Sequence, residues 1–323
     1  MQSSDYSQNE EKSWLAPTIS HALAGTVELP GSKSLTNREL VLSALASGPS
    51  EIIAPLESRD SALMIESLEK LGTRITRTER GNLVIVPAAT DISVKANIDC
   101  GLAGTVMRFM PPVAALFTGS FNFDGDLAAR ARPMATTIES LRKLGVSLET
   151  PNGEKLPFVI NGTGEVRGGE LEIDASASSQ FVSGLLLAAP RFKDGLILTH
   201  RGEHLPSQPH IEMTIKCLKD RGVAARAISE SSWLVPSSEI QGRSVVIEPD
   251  LSNAGPFLAA AMVAGGTVSI PNWPNQTTQV GRLFLELLPK MGAQISLSNS
   301  VLTITGSGSI QGIDCDLSEG GEL

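Results

Sequence analysis

An internal repeat constrains this 323-residue chain more than any other feature. A short β-like run meets a turn marked by Pro or Asp. A Ser/Gly-rich opening follows, then a helix of small apolar residues, then a second β-like run. The openings are Val27-Glu28-Leu29-Pro30-Gly31-Ser32, Ile98-Asp99-Cys100-Gly101-Leu102-Ala103-Gly104-Thr105, Leu171-Glu172-Ile173-Asp174-Ala175-Ser176 and Val246-Ile247-Glu248-Pro249-Asp250-Leu251-Ser252. A fifth starts at Ile313-Asp314-Cys315-Asp316-Leu317-Ser318. Between them lies a second signature, an amphipathic helix that stops at a glycine suited to the C′ position: Leu68-Glu69-Lys70-Leu71-Gly72, Leu141-Arg142-Lys143-Leu144-Gly145, Cys217-Leu218-Lys219-Asp220-Arg221-Gly222 and Leu288-Pro289-Lys290-Met291-Gly292. The marked turns recur about every 70 residues, so each unit reads β-α-β-α-β-β. Residues Leu317 to Leu323 fall where a buried helix should begin, and the chain is therefore expected to be C-terminally truncated.

Composition narrows the partners. Hydrophobic residues make up 41% and aromatic ones only 4%, so the core must be aliphatic and rich in small residues. A net charge of −9 argues against a general nucleic-acid binder, although a local basic cluster can still hold a small anion. Cys100, Cys217 and Cys315 are widely spaced and odd in number, which reads as reduced and cytoplasmic. His200, His204 and His210 lack metal-ligand spacing, and no metal site is expected. No apolar run is long enough to span a membrane. Residues 1–13 read as a disordered polar tail.

The first opening carries the clearest chemistry. Leu29-Pro30-Gly31-Ser32-Lys33-Ser34-Leu35-Thr36-Asn37-Arg38 puts free N–H groups, hydroxyls and an ammonium at a helix N-terminus, where the dipole favours anions. Arg38 shares a helix face with Ser34 and can aim a guanidinium at the same anion. The same residues also suit an ordinary N-cap with exposed basic groups. At the second opening, Gly104 and Thr105 with Arg108 one turn later fit either anion binding or close helix–strand packing. Ser176-Ala177-Ser178-Ser179-Gln180 offers hydroxyls and an amide at a third helix start, as many helix caps do. In Asp126-Leu127-Ala128-Ala129-Arg130-Ala131-Arg132-Pro133-Met134 the arginines point the same way if the segment is extended, or are solvated if it is a loop. Together, Lys33, Arg38, Arg108 and Arg132, interleaved with Ser34, Thr105, Ser178, Ser179 and Ser207, suit a small polyanion carrying phosphate and carboxylate groups.

These motifs, in this order, resemble the 5-enolpyruvylshikimate-3-phosphate synthase family over everything beyond the N-terminal tail. The resemblance implies an α+β fold in which repeated βαβαββ units form two pseudo-threefold domains, an inside-out α/β barrel. Residues 29–242 would form a three-unit domain. Residues 14–28 plus 243–323 would form the other, incomplete one. The implied reaction transfers the enolpyruvyl group of phosphoenolpyruvate to the 5-hydroxyl of shikimate 3-phosphate, releasing phosphate, on the route to chorismate and the aromatic amino acids. No cofactor is implied. By motif, Lys33, Ser34, Arg38, Ser178, Ser179, Gln180, Ser207 and Glu322 would hold shikimate 3-phosphate. Lys33, Gly104 and Arg132 would hold phosphoenolpyruvate, with Asp60, Thr105 and Arg108 in support. Lys33 and Glu322 would be catalytic, Glu322 deprotonating the 5-hydroxyl. Glyphosate is implied as a ligand of the phosphoenolpyruvate site, and a cytoplasmic monomer is expected. Leu102, Phe109 and His210 depart from the commonest family residues. The truncation would remove further cationic residues around phosphoenolpyruvate, so little activity is expected from this chain alone. Two alternatives stand beside this reading: a non-catalytic fragment that binds shikimate 3-phosphate or another anion, and UDP-N-acetylglucosamine enolpyruvyl transferase. The latter should show Lys-Asn where Lys33-Ser34 stands, and a cysteine in the loop near Arg130–Met134.

Overall fold

The computed structural model describes residues 15, 18, 21–88, 93–318 and 320. The tail expected over residues 1–13 and the candidate base Glu322 lie outside these residues. In chain order, β1 (Leu23–Thr26) precedes α1 (Lys33–Ala44), β2 (Ser50–Ile53), α2 (Arg59–Lys70), β3 (Arg74–Arg77) and β4 (Leu83–Val86). There follow β5 (Val94–Asp99), α3 (Gly104–Ala114), β6 (Thr118–Asp124), the short α4 (Leu127–Arg130), α5 (Ala135–Lys143), β7 (Ser147–Glu149) and β8 (Phe158–Thr163). The next run is β9 (Gly169–Ile173), α6 (Gln180–Ala188), β10 (Leu196–His200), α7 (Gln208–Lys219), β11 (Arg226–Ser229) and β12 (Ser232–Val235). Last come β13 (Ser244–Val246), α8 (Gly255–Ala264), β14 (Gly266–Ile270), α9 (Phe284–Lys290), β15 (Gln294–Ser298) and β16 (Val301–Gly306).

The strands form four-stranded mixed sheets, and the order β5-β6-β8-β7 shows their common plan. Two parallel strands, joined through a helix, continue into an antiparallel pair. The sheet β9-β10-β12-β11 repeats it, while β13-β2-β4-β3 and β1-β14-β16-β15 keep the strand directions with a parallel strand from a distant part of the chain. This is an α+β architecture of several mixed sheets.

Two strands sit differently from what the repeat by itself implies. The run near Val27 was expected to open the first unit, and that near Val246 the fourth. Instead β1 pairs in parallel with β14, and β13 pairs in parallel with β2. β13, on the far side of the expected boundary at residue 243, thus lies in one sheet with β2. The reason lies in two crossing segments that run side by side: Ser32 N–H donates to Glu248 O at 2.8 Å, and Asp250 N–H donates to Pro30 O at 2.8 Å. The chain passes from one lobe to the other just before α1. The parallel partner of β2 must then come from the returning chain. Ile313–Leu317, expected as a fifth opening strand, forms no strand among the described residues, because no neighbour supplies a ladder there.

The apolar residues separate into two cores. One runs from Leu40 to Ile247 and the other from Leu251 to Ile304, with Val27 and Leu29 packed on the latter. In the larger core, α3 and α6 are buried from their second residue to their last, and α1 from Thr36 onward. Close packing between α3 and α6 depends on Gly184, whose Cβ would lie 2.2 Å from Arg108 O. In the smaller core, α8 is apolar on every side, yet it buries only Leu258, Ala261 and Met262. Phe257 is 42% exposed and Val263 65%. A helix apolar all round is built for burial, so this lobe is the less stabilised of the two. Hydrogen exchange should accordingly show amides of β14 and β16 exchanging about tenfold or more faster than those of β6 and β8. Equal protection would show that the lobes unfold as one. No helix among the described residues is long and apolar enough to cross a membrane.

Candidate active site

Four helices begin side by side. Asn37 Nδ2 on α1 donates to Thr105 Oγ1 in the first turn of α3 at 2.8 Å. Arg38 on α1 reaches α7 through Thr214 Oγ1 at 2.8 Å and His210 O at 2.9 Å, and α6 through Ser183 Oγ at 3.3 Å. A Cβ on Gly104, the first residue of α3, would lie 2.9 Å from Gln180 Oε1 at the start of α6. The capping pattern differs among these helices. Ser32 caps α1, and Ser58 with Ser61 forms a reciprocal capping box on α2. No side chain caps α3, α6 or α7 at Ala103, Ser179 or Ser207. The starts of α3 and α7 therefore lack a capping side chain, and α6 has only Ser178 Oγ on its first amide, at a place where the dipoles favour an anion.

Cations add to this field. The same Cβ on Gly104 would sit 3.2 Å from Arg108 Nη1 and 3.4 Å from Arg132 Nη1. Arg108 is buried, stacks over Phe181 at 5.5 Å, and donates to Gly104 O at 3.4 Å and Pro133 O at 3.3 Å. Its Nε has no hydrogen-bond partner among the described residues. Burial, and after it the neighbouring Arg132 charge, push the Arg108 pKa down to about 10. Arg132 donates to Leu102 O at 2.9 Å. Neither guanidinium meets a carboxylate among the described residues. Two adjacent cations under a bare helix start are poised for a doubly charged anion. Gly104 serves here by leaving the space empty.

Lys33 completes the cationic side. Its backbone N–H donates to Asp250 Oδ2 at 3.2 Å. Its ammonium lies 3.9 Å from Asp60 Oδ2 on a side chain 51% exposed, which leaves it able to engage a ligand.

The serine loop is tied down by its own polar groups. Asp174 Oδ1 accepts from the Ser176 hydroxyl at 2.6 Å and from its N–H at 2.9 Å, which holds the carboxyl below the usual range. Ser178 N–H donates to Ala175 O at 3.0 Å, and Ser178 Oγ accepts from Gln180 N–H at 3.2 Å. Ser179 is buried at the head of α6. Across from it, Ser207 turns the chain into α7 with a left-handed φ of 54°.

The structure brings Lys33, Ser34, Asp60, Gly104, Thr105, Arg108, Arg132, Ser178, Ser179, Gln180 and Ser207 to the starts of these helices. Arg38 lies deeper than these residues. It is 1% exposed, stacks on Phe109 at 5.4 Å, and donates to Ser34 O at 2.9 Å as well as to α6 and α7. It braces the helix starts from behind. Arg130 and Arg132 do not point the same way, because residues 127–130 form α4 instead of an extended run. Arg130 pairs with Asp124 at 2.6 Å, leaving Arg132 alone to face Gly104. Two participants carry little signal in the sequence. Asn37 has a buried Oδ1 without a partner among the described residues, and Asp250 anchors the first turn of α1 across the lobe crossing.

Comparison with known proteins now has a geometry to explain. A family model described as EPSP synthase (3-phosphoshikimate 1-carboxyvinyltransferase) matches residues 17–322. A 3-phosphoshikimate 1-carboxyvinyltransferase from Kocuria rhizophila is 52% identical over 98% of this chain and 73% of its own length. A structure of EPSP synthase from Acinetobacter baumannii superimposes with a TM-score of 0.78 over 93% of this chain and 70% of that one, at 22% identity. A second from the same organism gives 0.77 over 92% and 68%, also at 22% identity. The chain belongs to the EPSP synthase family.

Proposed function

We propose that the junction of α1, α3, α6 and α7 holds the two substrates of this family's reaction. That reaction is the shikimate-pathway transfer of an enolpyruvyl group from phosphoenolpyruvate to shikimate 3-phosphate. The carrying observation is the cationic corner at Gly104, where Arg108 and Arg132 face uncapped helix amides with no carboxylate between them. Phosphoenolpyruvate occupies this corner, with Lys33 on its other side and Thr105 fixing the turn. Shikimate 3-phosphate lies along Ser34, Ser178, Ser179, Gln180 and Ser207. Lys33 serves both. Arg38 acts as a brace behind them, in place of the ligand contact the motif implies.

The chemistry follows from charge. The 5-hydroxyl adds to C2 of phosphoenolpyruvate while C3 takes a proton, giving a tetrahedral intermediate. A proton then leaves C3 and the C2–O bond to phosphate breaks. Negative charge on the departing phosphate is met by Arg132, Arg108 and Lys33. Glu322 is the proposed acceptor of the hydroxyl proton, and Lys33 assists proton transfer. Glyphosate, carrying a phosphonate and a carboxylate, competes for the Gly104 corner. The pseudo-threefold arrangement is supported by three sheets of one strand order beside α1, α3 and α6, each helix buried along most of its length. The protein acts as a cytoplasmic monomer, and this 323-residue polypeptide binds the substrates better than it turns them over.

A thermal-shift experiment tests the corner. Burying Arg108 beside Arg132 without an anion opposes folding at neutral pH. Because the folded pKa is lowered, this penalty is present below about pH 10 and is relieved above it. Arg108→Met should melt no lower than the wild type without ligand, yet gain less from inorganic phosphate. At a phosphate concentration about 100 times Kd the wild type gains about 2.7 kcal/mol. Equal phosphate stabilisation of both proteins would contradict the assignment.

A further inference from the structure

His200 is the last residue of β10, paired in register with Ile173 at the end of the parallel strand β9. Two loops leave these strand ends. The one after β9 carries Ser178, Ser179 and Gln180, and the one after β10 carries Ser207. The imidazole sits between them, 6% exposed. Its Nδ1 accepts from Ala175 N–H at 3.1 Å in the first loop and from Gly202 N–H at 3.5 Å in the second. Space around the ring is tight: a Cβ on Gly202 would fall 2.0 Å from Ser176 Oγ and 2.5 Å from both Asp174 Oδ1 and His200 Cε1. Nδ1 is thus an acceptor and carries no proton, which places the proton of the neutral ring on Nε2. Nε2 is buried with no partner among the described residues. A leucine would avoid that unsatisfied donor, so the ring's contribution lies in the Nδ1 lone pair.

We propose that His200 is a positioning residue for shikimate 3-phosphate, a single nitrogen acceptor that holds the two serine-bearing loops in register. This rests on the reading that these loops bind that substrate. Ala175 is fully buried, so its N–H has no water to turn to if the acceptor is removed. The loop would then shift to find another partner, moving Ser178, Ser179 and Gln180 away from Ser207. A misplacement of that kind lowers affinity without unfolding the core.

Calorimetric titration with shikimate 3-phosphate tests this on the 323-residue chain, with thermal melts beside it. His200→Leu removes the acceptor. His200→Asn places Oδ1 where Nδ1 stood. The expected result is at least tenfold weaker binding for His200→Leu, binding within threefold of wild type for His200→Asn, and a cooperative melt for both. Wild-type affinity in His200→Leu would overturn the proposal. Equal loss in both variants would also overturn it, by showing a packing role. Gln180→Ala separates this from the underlying reading. If Gln180→Ala loses affinity while His200→Leu keeps it, only His200 is misassigned. If neither variant loses affinity, the loop reading fails and the proposal fails with it. Should His200→Leu not fold, a long-range 1H–15N spectrum of the wild type decides: protonated Nε2 and bare Nδ1 are expected, and a proton on Nδ1 would overturn the assignment.

Discussion

Arg38→Ala should lower stability by about 3–5 kcal/mol and abolish shikimate 3-phosphate binding as a consequence. The guanidinium is 1% exposed and holds Ser34 O, Ser183 Oγ, His210 O and Thr214 Oγ1 together. Truncation leaves a cavity between α1, α3, α6 and α7. It also removes the guanidinium's bonds to Thr214 Oγ1 and Ser183 Oγ, hydrogen bonds to a charged group worth about 1.5–3 kcal/mol each, although His210 O keeps the Thr214 hydroxyl. Arg38→Lys should recover little, since an ammonium cannot span three elements with a planar fork. Chemical denaturation measures the first effect and calorimetry the second. A fully stable Arg38→Ala that merely binds more weakly would return Arg38 to the role of direct ligand contact.

Arg132→Ala should weaken phosphoenolpyruvate binding about tenfold to a hundredfold, the loss of one charge-assisted contact of about 1.5–3 kcal/mol. Stability should barely change, because Arg132 is only partly buried and its one hydrogen bond among the described residues is to Leu102 O at 2.9 Å. Shikimate 3-phosphate affinity should also be nearly unchanged. The pairing of these results separates the two subsites. Titrations of each substrate, with the other saturating, measure them. An equal loss for both would show that Arg132 lies between the substrates or supports the whole site.

These predictions reach different depths into what the sequence makes legible. The α+β class with several mixed sheets was legible because small apolar helices and glycine stops alternate with β-like runs along the chain. The placement of β13 was not visible in the repeat, since the run before Pro249 reads like the other openings and only the crossing bonds at Ser32 and Asp250 decide its partner. The same limit hid the role of Arg38. Its spacing from Ser34 puts both on one helix face, but whether that face meets ligand or protein depends on Thr214, 176 residues away. The buried pair of Arg221 with Glu39, at 2.7 Å and 182 residues apart, carries no sequence signal for the same reason. Gly104 was ambiguous between packing and anion binding. The convergence of Arg108, Arg132 and Gln180 on its missing side chain favours the second.

Arg130 and Arg132 illustrate a local failure. Neither an extended run nor a plain loop forms there, because Leu127-Ala128-Ala129, good helix formers, directly follow the N-cap Asp126. Once α4 forms, Arg130 swings to Asp124, and the charge available to a ligand is halved.

The measurement that tests the account most directly is calorimetric titration of this chain with shikimate 3-phosphate, beside Gln180→Ala. The account predicts saturable binding of one molecule per chain, weakened at least tenfold in the variant, with the larger lobe folded in both. A chain that melts cooperatively and takes up no shikimate 3-phosphate would contradict the placement of the substrate at these helix starts.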